Sequence, residues 1–183
     1  MREAPRVMIR RFVLLVLLAM LSSTFAAAAD DAGGFFDSSL GDFKGELAAA
    51  AKGGKRGVLL MFEVEGCPYC RRMKEQVLSR ADVRNYFRRH FAIFSVDVVG
   101  SVVVTDFAGR SVTEKEFARA QRVRGTPTFV FVGADGREMV RYVGATRDVK
   151  EFMELGRFVA DGHWRKQDFA QFYRNTQPEG RKP

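Results

Sequence analysis

The chain is short of the residues from which most metal and cofactor sites are built. Its 183 residues include two cysteines, two histidines and one tryptophan. A resident zinc or copper site needs more ligands than Cys67, Cys70, His90 and His163 supply, and there is no second cysteine pair. Glycine and proline are not in excess, and neither a low-complexity tract nor a fixed-period repeat is present, which excludes disordered and solenoid architectures. The apolar stretch from Phe12 to Leu21 is short of the ~20 apolar residues that span a bilayer. Basic residues are not interleaved with aromatics in a stripe, so nucleic acid is not an expected partner. What remains is a globular body of one domain with modest extras, 46% hydrophobic and carrying a net charge of +8.

Part of that charge belongs to the N-terminus. Arg2, Arg6, Arg10 and Arg11 against Glu3 contribute three units, leaving five scattered over the rest of the chain. The arginines precede the apolar stretch, and Ala26 to Ala29 follow, ahead of Asp30-Asp31. This order is that of an export signal over residues 1–29, cleaved after Ala29. The alternative is an uncleaved N-terminal membrane anchor. Cleavage would release a soluble protein outside the cytoplasm, since no cysteine near the site is available for a lipid. Disulfides persist in such a compartment.

Residues 30–42 are polar and Gly-rich and read as a flexible leader. Phe43, Leu47 and Ala50-Ala51 recur at helical spacing up to Lys52, and Gly53-Gly54 ends the helix. Gly57 to Phe62 is a continuous apolar run, the pattern of a buried central strand. Cys67-Pro68-Tyr69-Cys70 follows, and Pro68 suits the first position of a helix in which Met73 and Val77 share a face. Arg71, Arg72 and Lys74 are expected to point outward from it. A helical or turn segment over 82–90 leads to a second strand, Phe91 to Asp97. Val102 to Val104 and Ser111-Val112 form a hairpin insert, and Thr113 with Glu116 is a capping box for a helix through about Arg122. Thr128 to Val132 and Glu138 to Val143 are an antiparallel pair of strands joined by a turn at 134–137. Asp148 to Ala160 has an amphipathic pattern, and Trp164, Phe169, Phe172 and Tyr173 predict a further packed helix in the 161–183 extension. The economical packing is an α/β domain over 43–160, a four-stranded mixed sheet with helices on both faces.

Two cysteines, two residues apart at a strand-to-helix junction, have a specific chemical use. Cys67 sits at the helix start, where free N–H groups and the macrodipole stabilise a thiolate, and Cys70 lies one turn further in. Such a pair exchanges disulfides with a partner through a mixed disulfide. A structural disulfide is a poor alternative, because so small a loop restricts the unfolded chain little. The neighbouring cations either add to thiolate stabilisation or form a plain solvated face. Thr126-Pro127 opens a strand, where proline is tolerated in either isomer. With a Cys-x-x-Cys upstream it is expected to be a cis-proline loop facing the cysteines, exposing the Thr126 backbone to an extended substrate segment.

Cys67-Pro68-Tyr69-Cys70 and Gly125-Thr126-Pro127-Thr128-Phe129 resemble the thioredoxin superfamily over about 43–160. The run Met61-Phe62-Glu63-Val64-Glu65-Gly66 before the cysteines, the Val104-Thr105-Asp106-Phe107 insert and the aromatic tail are similar to the SoxW-type exported thioredoxins. That resemblance implies a periplasmic protein, monomeric, that reduces disulfides of extracytoplasmic proteins. It has no cofactor beyond the Cys67–Cys70 disulfide and draws electrons from a membrane thiol transporter of the DsbD/CcdA kind. It places Cys67 and Cys70 in catalysis and Pro68, Tyr69, Thr126 and Pro127 against substrate. Thioredoxins usually carry a buried aspartate where Met61 stands, so Glu63 and Glu65, of equal parity on the extended chain, are candidates for the proton acceptor of Cys70; the other reading is that they are plain surface or sheet-end carboxylates. Disulfide formation or isomerisation, and a metal carrier or assembly factor using the two cysteines, remain the alternative functions. The insert between Val99 and Thr113 is a candidate determinant of specificity.

Overall fold

The computed structural model describes residues 34–177. The segment 1–29, read above as an export signal, and the last residues of the chain lie outside the described residues, among which no helix is long and apolar enough to cross a membrane.

Helix α1 (Phe43–Lys52) is capped by Asp42, whose carboxylate accepts the Gly45 N–H at 3.0 Å, and it turns Phe43, Leu47 and Ala50 inward. Strand β1 (Gly57–Glu63) lies at the centre of the sheet, parallel to β2 (Phe91–Asp97) and antiparallel to β5 (Thr128–Gly133), with β6 (Glu138–Val143) beyond β5. Neighbours on both edges and helices on both faces account for its unbroken apolar run. Its pleat divides the core. Leu59 and Met61 face Cys70, Met73, Phe87 and Phe152, while Val58, Leu60 and Phe62 face Phe43, Leu47 and Phe117.

The first face is covered by α2 (Pro68–Met73), α3 (Ala81–His90), α5 (Val149–Ala160) and the C-terminal α6 (Phe169–Asn175). The second is covered by α1 and α4 (Glu114–Ala120), with the hairpin β3 (Val103–Thr105) and β4 (Ser111–Thr113) beside them. Helix α4 carries the anticipated capping box but stops at Ala120, because Arg122 takes a φ of +55° that a helix cannot continue through. In the hairpin, Asp106 is buried. Burial would raise its carboxyl, but hydrogen bonds from Arg110 and Ala108 outweigh it and hold the group below its ordinary value.

Two local features depart from the sequence reading. The helix after the cysteines widens into a π-helical turn at Lys74–Leu78, which still keeps Met73 and Val77 buried. The leader is not loose where it is described. Phe35 is 5% exposed and packs against Phe87 and Phe152, with ring centroids 5.8 and 6.1 Å away. Asp37 pairs with the outer edge of β2, its N–H donating to the Ile93 carbonyl and its carboxylate accepting the Ile93 N–H. The polar, Gly-rich composition hid a segment that covers an otherwise open strand edge.

Candidate active site

The site forms where β1 ends. A turn at 65–66 reverses the chain, and Cys67 becomes the N-cap of α2 with Pro68 at the first helical position. Cys67 and Cys70 are joined in a disulfide, with Cα atoms 5.3 Å apart, so the structure is the oxidised form. The two sulfurs are not equivalent. Cys67 is half-buried at the surface, and its Sγ accepts the Cys70 N–H at 3.1 Å; Cys70 is 2% exposed and packs with Met61 and Met73.

The opposite wall is the strand entry of β5. The Thr126–Pro127 peptide bond is cis, Pro127 is buried and Thr126 is partly exposed. The Thr126 hydroxyl donates to Cys67 Sγ at 3.4 Å, and the Thr126 carbonyl lies 3.6 Å from the same sulfur. In the dithiol form, that carbonyl is positioned to accept the Cys67 S–H. Pro68 and Tyr69 are exposed at the rim, as is Val143 on the neighbouring strand end. The topology thus brings Cys67, Cys70, Thr126, Pro127, Pro68 and Tyr69 to one pole of the molecule.

A cleft of about 290 Å³ opens beside the disulfide, lined by Glu63, Glu65, Cys67, Cys70, Arg71 and Lys74 among others. The alternation that gave Glu63 and Glu65 one parity ends at Glu63, since Glu65 is already in the turn, yet both reach this cleft. They differ in surroundings. The Glu63 carboxylate is mostly buried, pairs with Lys74 at 2.5 Å and accepts a hydrogen bond from the Ser95 hydroxyl. Glu65 is exposed. Among the described residues, no group of three or more Cys, His, Asp or Glu is placed to hold a metal ion.

The expected cationic face resolves into three separate fates. Arg71 is solvated, Lys74 is neutralised by Glu63, and Arg72 turns inward to donate to the Thr146 carbonyl at 2.6 Å. Arg72 was expected to point outward with the others, and Ser95 and Thr146 escaped the sequence reading, because nothing local in 95 or 146 marks a contact made across the sheet.

A half-exposed cysteine at a helix start, bonded to a buried partner one turn on and faced by a proline loop, defines a thiol–disulfide oxidoreductase with a thioredoxin fold. The thioredoxin-like domain family matches residues 43–160, and the chain belongs to it. Among solved structures, a thioredoxin from Thermus thermophilus is 35% identical, covering 64% of this chain and 83% of its own, with a TM-score of 0.51. A thioredoxin-fold protein from Helicobacter pylori is 24% identical, covering 64% of this chain and 78% of its own, with a TM-score of 0.55. DsbH oxidoreductase is 17% identical and covers 69% of this chain and 87% of its own, with a TM-score of 0.50. The last two likenesses speak to the fold alone. A comparison with curated proteins finds no match.

Proposed function

We propose that this protein is an exported thioredoxin of the SoxW type, a monomer that reduces disulfides of other proteins in the periplasm. The observation that carries this reading is the asymmetry of the cysteines, one sulfur at the surface on a helix start and the other sealed behind it. The charged and apolar N-terminus supports export, and the 35% identical relative described as a thioredoxin supports the reductive direction.

In the forward reaction the Cys67 thiolate attacks one sulfur of a substrate disulfide. The substrate S–S bond breaks, a mixed disulfide forms at Cys67, and the leaving thiolate takes up a proton. Cys70 then loses its proton and attacks Cys67 Sγ, the mixed S–S bond breaks, and the second substrate thiol departs. Two electrons pass to the substrate and the Cys67–Cys70 disulfide is left, to be reduced again by a dithiol of a DsbD/CcdA-like membrane transporter. Thr126 and Pro127 receive the substrate segment as a short added strand, and Pro68 and Tyr69 form its rim.

Glu63 takes the Cys70 proton, because it is the carboxylate that is both held in place and open to the shared cleft; Glu65 is its solvent-side neighbour. Glu63→Gln is expected to slow resolution of the mixed disulfide by about 10²-fold at neutral pH, recovering as the pH is raised and solvent takes the proton. Glu65→Gln should change it little. Stopped-flow resolution rates equal to wild type in Glu63→Gln would remove Glu63 from the role.

The function is tested with a Cys70→Ser variant expressed with its own leader. Mixed disulfides between Cys67 and extracytoplasmic proteins are expected to accumulate, and wild type should be recovered as dithiol unless the membrane donor is deleted. Absence of adducts, or wild type recovered as disulfide under all conditions, contradicts the reading.

A further inference from the structure

Behind the site, residues 144–148 form a bend between β6 and α5 that touches both walls. The Gly144 N–H donates to the Pro127 carbonyl at 2.8 Å, and the Thr146 carbonyl receives Arg72, two residues beyond Cys70. Thr146 is buried, with its hydroxyl donating to the Asp148 carbonyl at 3.1 Å and lying 3.6 Å from Met73 Sδ.

The far side of the bend is fastened by a buried acid. Glu151 is 8% exposed, and its Oε2 accepts the Arg147 backbone N–H at 2.7 Å and Arg147 Nε at 3.1 Å. Its Oε1 receives the Tyr142 hydroxyl at 3.5 Å. Burial, and then the nearby Glu151 charge, push the Tyr142 phenol up to about 12, so it keeps its proton and goes on donating. The Arg147 guanidinium lies 5.1 Å from the centroid of the Tyr173 ring on α6, and Lys150 donates to Gln177 at 3.0 Å. The C-terminal extension therefore touches this bend, besides packing on α5 and β6 through Phe169 and Phe172. A buried carboxylate is unfavourable unless fully hydrogen-bonded. Here its bonds fix a bend whose other contacts are Pro127 and the cysteine helix.

We propose that Glu151, covered from outside by Arg147 and Tyr173, is a positioning residue for disulfide exchange. It holds the 144–148 bend, and through it the Pro127 carbonyl and Arg72 of the cysteine helix, while a protein substrate pairs at Thr126. The inference rests on the function proposed above, with 126–127 as the seat of the substrate strand.

The test uses the full chain in Glu151→Ala and Arg147→Met forms. The second changes a side chain that is 70% exposed, so folding is retained while the ion pair is lost. Turnover is measured with insulin, which must dock a chain segment, with dithiothreitol restoring the Cys67–Cys70 dithiol; a single turnover of pre-reduced protein is followed with a small aromatic disulfide, 5,5′-dithiobis(2-nitrobenzoate), which need not dock. KM for insulin is expected to rise about tenfold in Arg147→Met with kcat little changed, the signature of lost docking, while the rate with the small disulfide is unchanged. Glu151→Ala should show the same split more strongly. A KM for insulin within twofold of wild type in folded Arg147→Met protein, whatever the change in Tm, overturns the positioning role. Wild-type protein inert toward both disulfides overturns the proposed function, and this inference with it.

Discussion

Serine at Cys67 is expected to abolish disulfide reduction, whereas serine at Cys70 halts it one step later with substrate attached. The physical basis is the different stabilisation of the two sulfur anions. Cys67 Sγ already accepts the Cys70 N–H at 3.1 Å and the Thr126 hydroxyl at 3.4 Å, and it stands at the positive end of a helix. The reduced form keeps those donors, and a thiol so placed ionises more readily than a free one. Glu63 and Glu65 act against this, but Glu63 is neutralised by Lys74 and Glu65 is screened by solvent. Cys70 has the opposite environment. It is sealed over Met61 and Met73, where burial disfavours a thiolate.

Iodoacetamide at pH 7 should therefore modify reduced protein at Cys67 alone, and reach Cys70 only on unfolding. Two thiols alkylating together near ~8.5 would contradict the assignment of roles.

The second large effect is on the scaffold. Gly57→Ala is expected to destabilise the domain by about 4 kcal/mol, combining backbone strain of ~1–3 with overpacking of ~1–3 kcal/mol. A Cβ at Gly57 would lie 1.9 Å from the Val132 carbonyl oxygen, and φ there is +152°. The clash is with backbone in the register that joins β1 to β5, where Gly57 pairs with Gly133, so no side chain can swing aside. Gly54→Ala, three residues earlier, is the control. Its φ of +75° carries a penalty of ~1–2 kcal/mol, but nothing lies within 4 Å of the new methyl. Thermal or urea unfolding should place Gly57→Ala far below Gly54→Ala. Equal losses would mean that the sheet yields at this end of β1 and that the pairing is not rigid.

Much of the architecture could be read from local pattern. Helix α1 was legible from the spacing of Phe43, Leu47 and Ala50, α4 from Thr113 and Glu116, and the central strands from unbroken apolar runs. These signals are short-range, because caps and periodicity act within a few residues. The docking of Phe35 was not legible. Its slot is made by Phe87 and Phe152, which come from helices far along the chain, while the residues around Phe35 carry the composition of a flexible leader. The π-helical turn was equally hidden, since Lys74–Leu78 has an ordinary helical sequence.

The site divides along the same line. By itself the sequence determined that two thiols share one helix start, and that a Thr-Pro strand entry follows downstream. Adjacent residues on a helix turn are close in any fold that keeps the helix. Only the tertiary structure decided that Thr126 meets Cys67, that Glu63 is bound by Lys74 and Ser95, and that Arg72 leaves the surface to hold the bend at Thr146. Each of these contacts joins residues separated by 11 to 74 positions. Their partners are selected by the order β2-β1-β5-β6 and its register, which no local stretch of chain encodes.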